Sequence, residues 1–178
     1  VPAEKFAETI EKEGATLLLG GIICASFFSA IIMFLMTTLT GRDLRGMVFW
    51  LMGDLSTPVS AGMQWIFMVG LFAGIGAIYS TSADLNLMLT GEREATHLGV
   101  DVTRVKLVVY ISASLLTALA VSASGAIGYV GLLIPHAVRL IFGSDYRLLI
   151  PASALCGAIA IVLADTLART IVSPTELP

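Results

Sequence analysis

Charged residues fall along this chain in clusters, and the apolar runs between the clusters are long enough to cross a bilayer. Asp54 and Asp84 are separated by 29 uncharged residues, and Leu107 to Val138 is a further uncharged run of 32. About 30 Å of hydrocarbon takes roughly 20 apolar residues of helix. Spans are therefore predicted at about 15–39 ("ATLLLGGIICASFFSAIIMFLMTTL"), after a charged helical lead-in "EKFAETIEKE", and at about 62–83. The run of 32 is too long for one comfortable crossing. Its middle, "SASGAIGYVG", holds Gly125, Gly128 and Gly131, where the backbone can turn or pack closely, and Pro135 removes a helix hydrogen bond a turn later. It divides into a span at about 105–124 and a short one at about 129–142, and a last span covers about 148–168. The fold class predicted is all-α: a polytopic membrane protein with about five crossings, residues 1–178 forming part of one transmembrane domain.

Composition agrees. The chain of 178 residues is 57% hydrophobic and only 13% charged, with a mean hydropathy of +0.92, which excludes a disordered chain and an ordinary soluble domain. A net charge of −3 and the lack of a basic, aromatic-interleaved patch leave no sign of a nucleic-acid partner. Cys24 and Cys156 lie singly in apolar runs, where a thiol acts as a small core residue. The chain begins Val1–Pro2 with no charged n-region, so the first apolar segment is not expected to be a cleavable signal, and the chain reads as an excerpt of something longer.

Charge bias suggests a topology. With five crossings and the N-terminus inside, the inner segments carry Lys5, Lys12, Arg93, Arg104, Lys106, Arg139 and Arg147, and the outer ones only Arg42, Arg45 and Arg169. That is the positive-inside pattern, weaker if 107–138 crosses once. Residues 84–104 then form a cytoplasmic region. On the outer side, Leu44, Met47, Val48, Leu51 and Leu55 recur at helical spacing, as in a short amphipathic helix lying at the interface, where Trp50 and Trp65 also fit.

The most polar stretch, "LTGEREATHLGVDVTRVK", falls in the cytoplasmic region. Gly91 and Gly99 bracket a short helix, with Ala95 and Leu98 on one side and Glu92, Arg93, Glu94 and His97 largely on the others. Spacing alone leaves two readings open: a solvated loop, or a docking helix for a soluble partner. His136 invites a metal or proton-relay reading because ionisable groups within spans are costly. No second ligand lies at metal-binding spacing, so no metal is assigned and a structural or gating role is expected. Ser122 or Ser124 with His136 could suggest an intramembrane protease, although small residues in spans usually serve packing. Glycine- and proline-broken helices also mark ion-coupled secondary transporters, but such carriers need a mid-membrane carboxylate, and Asp165 sits near a span end.

"EREATHLGVDVTRVK" resembles the cytoplasmic loop of FecCD-type permeases, the membrane subunits of ATP-binding-cassette importers for iron–siderophores, haem and cobalamin. "TLLLGGIICASFFSA", "VFWLMGDL", "LNLMLTGE", "SGAIGYVGLLIPHAVRL", "LLIPASALCGA", "LADTLART" and "SPTELP" match the same family in order. The resemblance implies the fifth to ninth of roughly ten helices, in a multi-pass protein of a bacterial or archaeal cell membrane. It implies ATPase-coupling roles for Gly91, Glu92, Glu94, Ala95, Leu98 and Gly99, and a contact of Arg169 with an extracytoplasmic substrate-binding protein; Asp165, one turn before Arg169, is spaced to pair with it and preorient it. Gly125, Gly128, Gly131, Pro135 and His136 become structural or gating residues, His136 near the cytoplasmic end of a short helix. Implied partners are an ABC ATPase subunit, the binding protein, a second permease copy or homologue, and membrane lipid. No cofactor is expected on this chain, since ATP and Mg would be used by the ATPase, and the chain itself is not expected to be an enzyme.

Overall fold

The computed structural model describes residues 3–55 and 60–171, with side chains described except at 3–14, 17, 42 and 171. The expected roles of Lys5, Lys12, Arg42 and "SPTELP" therefore fall outside the described side chains or residues. The chain forms α1 (Ala3–Thr38), α2 (Arg42–Met52), α3 (Ala61–Ser80), α4 (Ser82–Met88), α5 (Glu92–His97), α6 (Val102–Ser124), α7 (Val130–Phe142) and α8 (Tyr146–Ile171), with no strand among the described residues. The all-α architecture is as predicted.

Residues Val1–Val48 form one compact unit and Phe49–Pro178 a second. In the first, the polar lead-in and the first apolar run are a single helix, of which Leu18–Thr38 is long and apolar enough to cross a membrane. Near its end the hydroxyls of Thr37 and Thr38 donate back to the carbonyls of Phe34 and Leu35, at 2.7 and 2.8 Å. These local bonds compete with continued helix. Leu44, Met47, Val48 and Leu51 fall in α2, whereas Leu55, placed on the same helix from its spacing, lies beyond its end.

In the second unit α3 packs on α6, and α7 on α8. Without a hydrophobic driving force in lipid, helices approach through small residues. Gly70 and Gly74, one turn apart on α3, meet Leu119 and Leu116 of α6 so closely that an added β-carbon would lie 2.5 and 2.7 Å from their side chains. This G-x-x-x-G spacing is legible in the sequence, yet the sequence reading passed over it.

Ala61–Ser80, Val102–Ser124 and Tyr146–Thr170 are each long and apolar enough to span. The 107–138 run is two helices, α6 and α7, joined through 125–129. With 13 residues, α7 rises only about 20 Å and is shorter than a full hydrocarbon crossing. The helix expected over 62–83 stops at Ser80. There the Ser80 and Thr81 hydroxyls donate to the carbonyls of Ala77 and Ile78, and a separate helix, α4, begins at Ser82.

Large apolar side chains are widely exposed, Leu132 to 79% and Phe72 to 66%, as expected for surfaces that face lipid or other helices. Among the described residues the buried hydrophobics are Ala95, Val100, Val105, Val138 and Leu149, and three of them, Ala95, Val100 and Val105, lie in the most polar stretch of the chain.

Candidate functional site: two groups at the ends of α6

The first group surrounds the start of α6. Gly91 and Gly99 adopt φ of 122° and 90°, values that L side chains rarely take. Between them α5 is a helix of 6 residues, with Glu92 and Glu94 in its first turn, complementing the helix dipole. Beyond Gly99, Asp101 caps α6: its Oδ1 accepts from the Arg104 N–H at 3.0 Å. Ala95, Val100 and Val105 close into a small core, with Leu85, Met88, Val102 and Val109 packed around it. Glu92 adds an ion pair to Lys106 on α6, Oε1 to Nζ 2.6 Å.

Ala95 and Leu98, expected on one side of the helix, are therefore separated. Ala95 is wholly buried, whereas Leu98 is 64% exposed. The reason is the helix end: Leu98 (φ −82°, ψ 4°) has left helical geometry, so its side chain turns out of the face that Ala95 presents to α6. Of the residues assigned to this group, Glu92, Glu94, Leu98 and Gly99 are exposed and Gly91 is half-buried.

Three further residues here were not anticipated. Asn86 on α4 bonds to Asp145 and to the backbone of Tyr146, immediately before and at the start of α8. The signal available was "GSDY", a helix-start pattern that would have moved the last helix from 148 back to 146. The Asn86 hydrogen bond, first, and then the Arg147 backbone N–H hold the Asp145 carboxyl below its usual range. Because this contact puts the α7–α8 turn beside α4, α7 returns the chain to the end of the bundle where α4 and α5 lie.

The second group lies at the other end of α6, about 35 Å away for a helix of this length. Gly125 (φ 75°) is buried under the end of α2, where an added β-carbon would collide with the Trp50 carbonyl oxygen and meet Gly53 Cα at 3.1 Å. The Asp54 N–H donates to the Ser124 carbonyl at 3.0 Å. Next to this crossing is a cleft of about 510 Å³ lined by Asp54, Ile127, Tyr129, Asp165 and Arg169 among others. The Arg169 Nε donates to Asp165 Oδ2 at 2.9 Å, one turn apart on α8, as the spacing predicted. Gly128 lines the cleft, and Gly131 lies in the first turn of α7.

Pro135 and His136 sit mid-way along α7, not near its end as the resemblance implied for His136, and His136 is exposed. Among the described residues no three His, Cys, Asp or Glu side chains gather as a metal site. The Ser122 and Ser124 hydroxyls donate to the Leu119 and Ala120 carbonyls of their own helix, at 3.0 and 2.9 Å. A nucleophile paired with His136 is not the arrangement present.

Comparison with known proteins agrees with the sequence resemblance. Residues 6–178 match the model of the FecCD transport family. The chain is 45% identical over 166 residues to the uncharacterized ABC transporter permease protein YvrB of Bacillus subtilis, covering 92% of this chain and 46% of that one. It is 42% identical over 168 residues to the cobalamin import system permease protein BtuC of Halobacterium salinarum (92% and 43%) and 37% identical over 171 residues to the hemin transport system permease protein HmuU of Yersinia pestis (92% and 49%). Among solved structures, one described as an inward-facing conformation of a metal-chelate type ABC transporter matches with a TM-score of 0.80 at 36% identity, over 91% of this chain and 52% of that one. The chain thus spans about half the length of the relatives it matches. With four long apolar helices among the described residues and its permease relatives, it is a multi-pass protein of the cell membrane.

Proposed function

The chain belongs to the FecCD transport family, and from that premise we propose that it is part of the membrane permease of an ATP-driven importer of metal chelates, of the iron–siderophore, haem or cobalamin class. The relatives that carry cobalamin and hemin support this substrate class. ATP and Mg would be bound and used by a separate ATPase subunit. A substrate-binding protein on the outer face and a second permease copy or homologue would complete the assembly.

The observation that carries the reading is the construction of α5. A helix of 6 residues is too short to be stable alone, yet this one is held by its own core and by the Glu92–Lys106 pair while it presents Leu98 and Glu94 outward. A loop that merely returned the chain to the bilayer would not need that anchoring. A partner pressing on the outward face of α5 would move α6 with it, because Ala95, Val100 and Val105 are one packed unit.

The ion-coupled carrier reading is less well supported, since Asp165 is paired with Arg169 near the end of α8. At that end, the Asp165–Arg169 pair beside the cleft supports a charged contact with the binding protein.

Leu98→Glu tests the docking role without touching the buried core. In the intact permease it should abolish co-purification of the ATPase and transport-coupled ATP hydrolysis. Retention of both would remove the assignment. Gly99→Pro should do the same more severely, because proline cannot adopt φ 90° and loses the N–H that donates to Thr96 O at 3.0 Å.

A further inference from the structure

The Asn86 amide uses both of its ends on one target. Its Nδ2 donates to Asp145 Oδ1 at 2.6 Å, and its Oδ1 accepts from the Tyr146 N–H at 2.8 Å. The same Asp145 oxygen accepts from the Arg147 N–H at 2.9 Å, and the Asp145 carbonyl accepts from Leu148 and Leu149 at 3.1 and 2.8 Å. One side chain on α4 therefore orients the cap of α8 and satisfies one of its otherwise unpaired first-turn donors.

The contact extends sideways and downward. The Tyr146 hydroxyl accepts from Arg139 Nη2 of α7 at 3.4 Å, and the same guanidinium lies 5.9 Å from the tyrosine ring centroid. Leu149, one turn into α8, is buried. α4 packs on α5, α6 and α8, so it stands between the docking helix and the α7–α8 pair.

We propose that Asn86 is a positioning residue that fastens the α4–α5 unit to α7–α8, so that displacement of α5 is passed to α8 as well as to α6. The proposal rests on α5 being the docking element. Asparagine suits the position because it offers a donor to the carboxylate and an acceptor to the backbone N–H at once. Aspartate would set two carboxylates against each other, and leucine would satisfy neither group.

The test uses the full-length permease in proteoliposomes, with its native cysteines, Cys24 and Cys156 among them, replaced by serine. Spin labels at His97→Cys and Ser144→Cys, both exposed positions, report the distance from the α5 unit to the turn before α8. With Asn86 present, the distance distribution should be narrow and should stay so when ATP and vanadate trap the bound ATPase. Asn86→Ala and Asn86→Asp should broaden it. Asn86→Asp combined with Asp145→Asn should narrow it again relative to Asn86→Asp alone, because one of the two opposed carboxylates is removed and the new amide can donate to the carboxylate at 86 while its oxygen caps α8, and that recovery separates the clip from general misfolding. With the ATPase still bound, Asn86→Ala should lower transport-coupled ATP hydrolysis severalfold, because both hydrogen bonds of the clip are lost. A narrow distance in Asn86→Ala, failure of the exchanged pair to recover, or unchanged coupled hydrolysis would each overturn the proposal. If the ATPase fails to bind the unmutated permease, the docking reading fails separately, and the nucleotide-free distances still decide the clip.

Discussion

At its N-terminal end α6 is held by side chains, and at its C-terminal end by backbone. The first end relies on the Asp101 cap, the Ala95–Val100–Val105 core and the Glu92–Lys106 pair. At the second end, Gly125 and Gly53 let two stretches of main chain pass within contact of each other, joined by the Asp54 to Ser124 bond. Side-chain contacts can be weakened one at a time. A backbone crossing either closes or does not, because no side chain can retreat to admit a new atom. The proposed docking end should thus respond to mutation in graded steps, and the end beside the cleft abruptly.

Gly125→Val is the sharpest challenge to that contrast. The new β-carbon would strike the Trp50 carbonyl at a φ of 75°, and the expected cost is about 3 kcal/mol or more, read as loss of folded permease and of its melting transition in detergent. Ala95→Leu at the other end should cost about 1–3 kcal/mol by overpacking a closed site, lowering the melting temperature while leaving a folded protein. If the two variants proved equally damaging, the distinction between the ends would be lost.

A smaller effect is expected at Asp145. Its folded carboxyl titrates below the ordinary value of 3.8, so its contribution to stability is fully present above that value and is lost as pH falls through the lowered one. Asn86→Ala removes the largest cause and should move this acid loss toward higher pH, followed as melting temperature from about pH 6 to about pH 3. Identical acid profiles would mean that the amide does not hold the carboxylate. Smallest of all is Glu92→Gln. An exposed pair contributes about 0.2–1 kcal/mol at low salt, and the difference from the parent should shrink as salt is raised.

Legibility followed the range of the interactions. The apolar runs, the division of 107–138, the glycine-bounded α5 and the Asp165–Arg169 pair all depend on residues within a few turns of one another, and each was readable. The end of α3 was not, because serine and threonine are nearly neutral in hydropathy and only their bonds to Ala77 and Ile78 show where the helix stops. Nor could spacing tell that Leu98 leaves the face that Ala95 keeps, since that depends on where the last turn of α5 opens.

By itself the sequence determined that this chain is helical, lies in a membrane, and carries a polar glycine-bounded helix between two spans, because hydrophobic periodicity and length act locally along the chain. Tertiary structure alone decided that Ala95 is core and Leu98 surface, that Gly125 lies under Trp50, and that Asn86 meets Asp145 across a separation of 59 residues. Those contacts depend on how the helices dock, and docking among uniformly apolar helices is set by small residues and a few polar bonds whose partners no local pattern names.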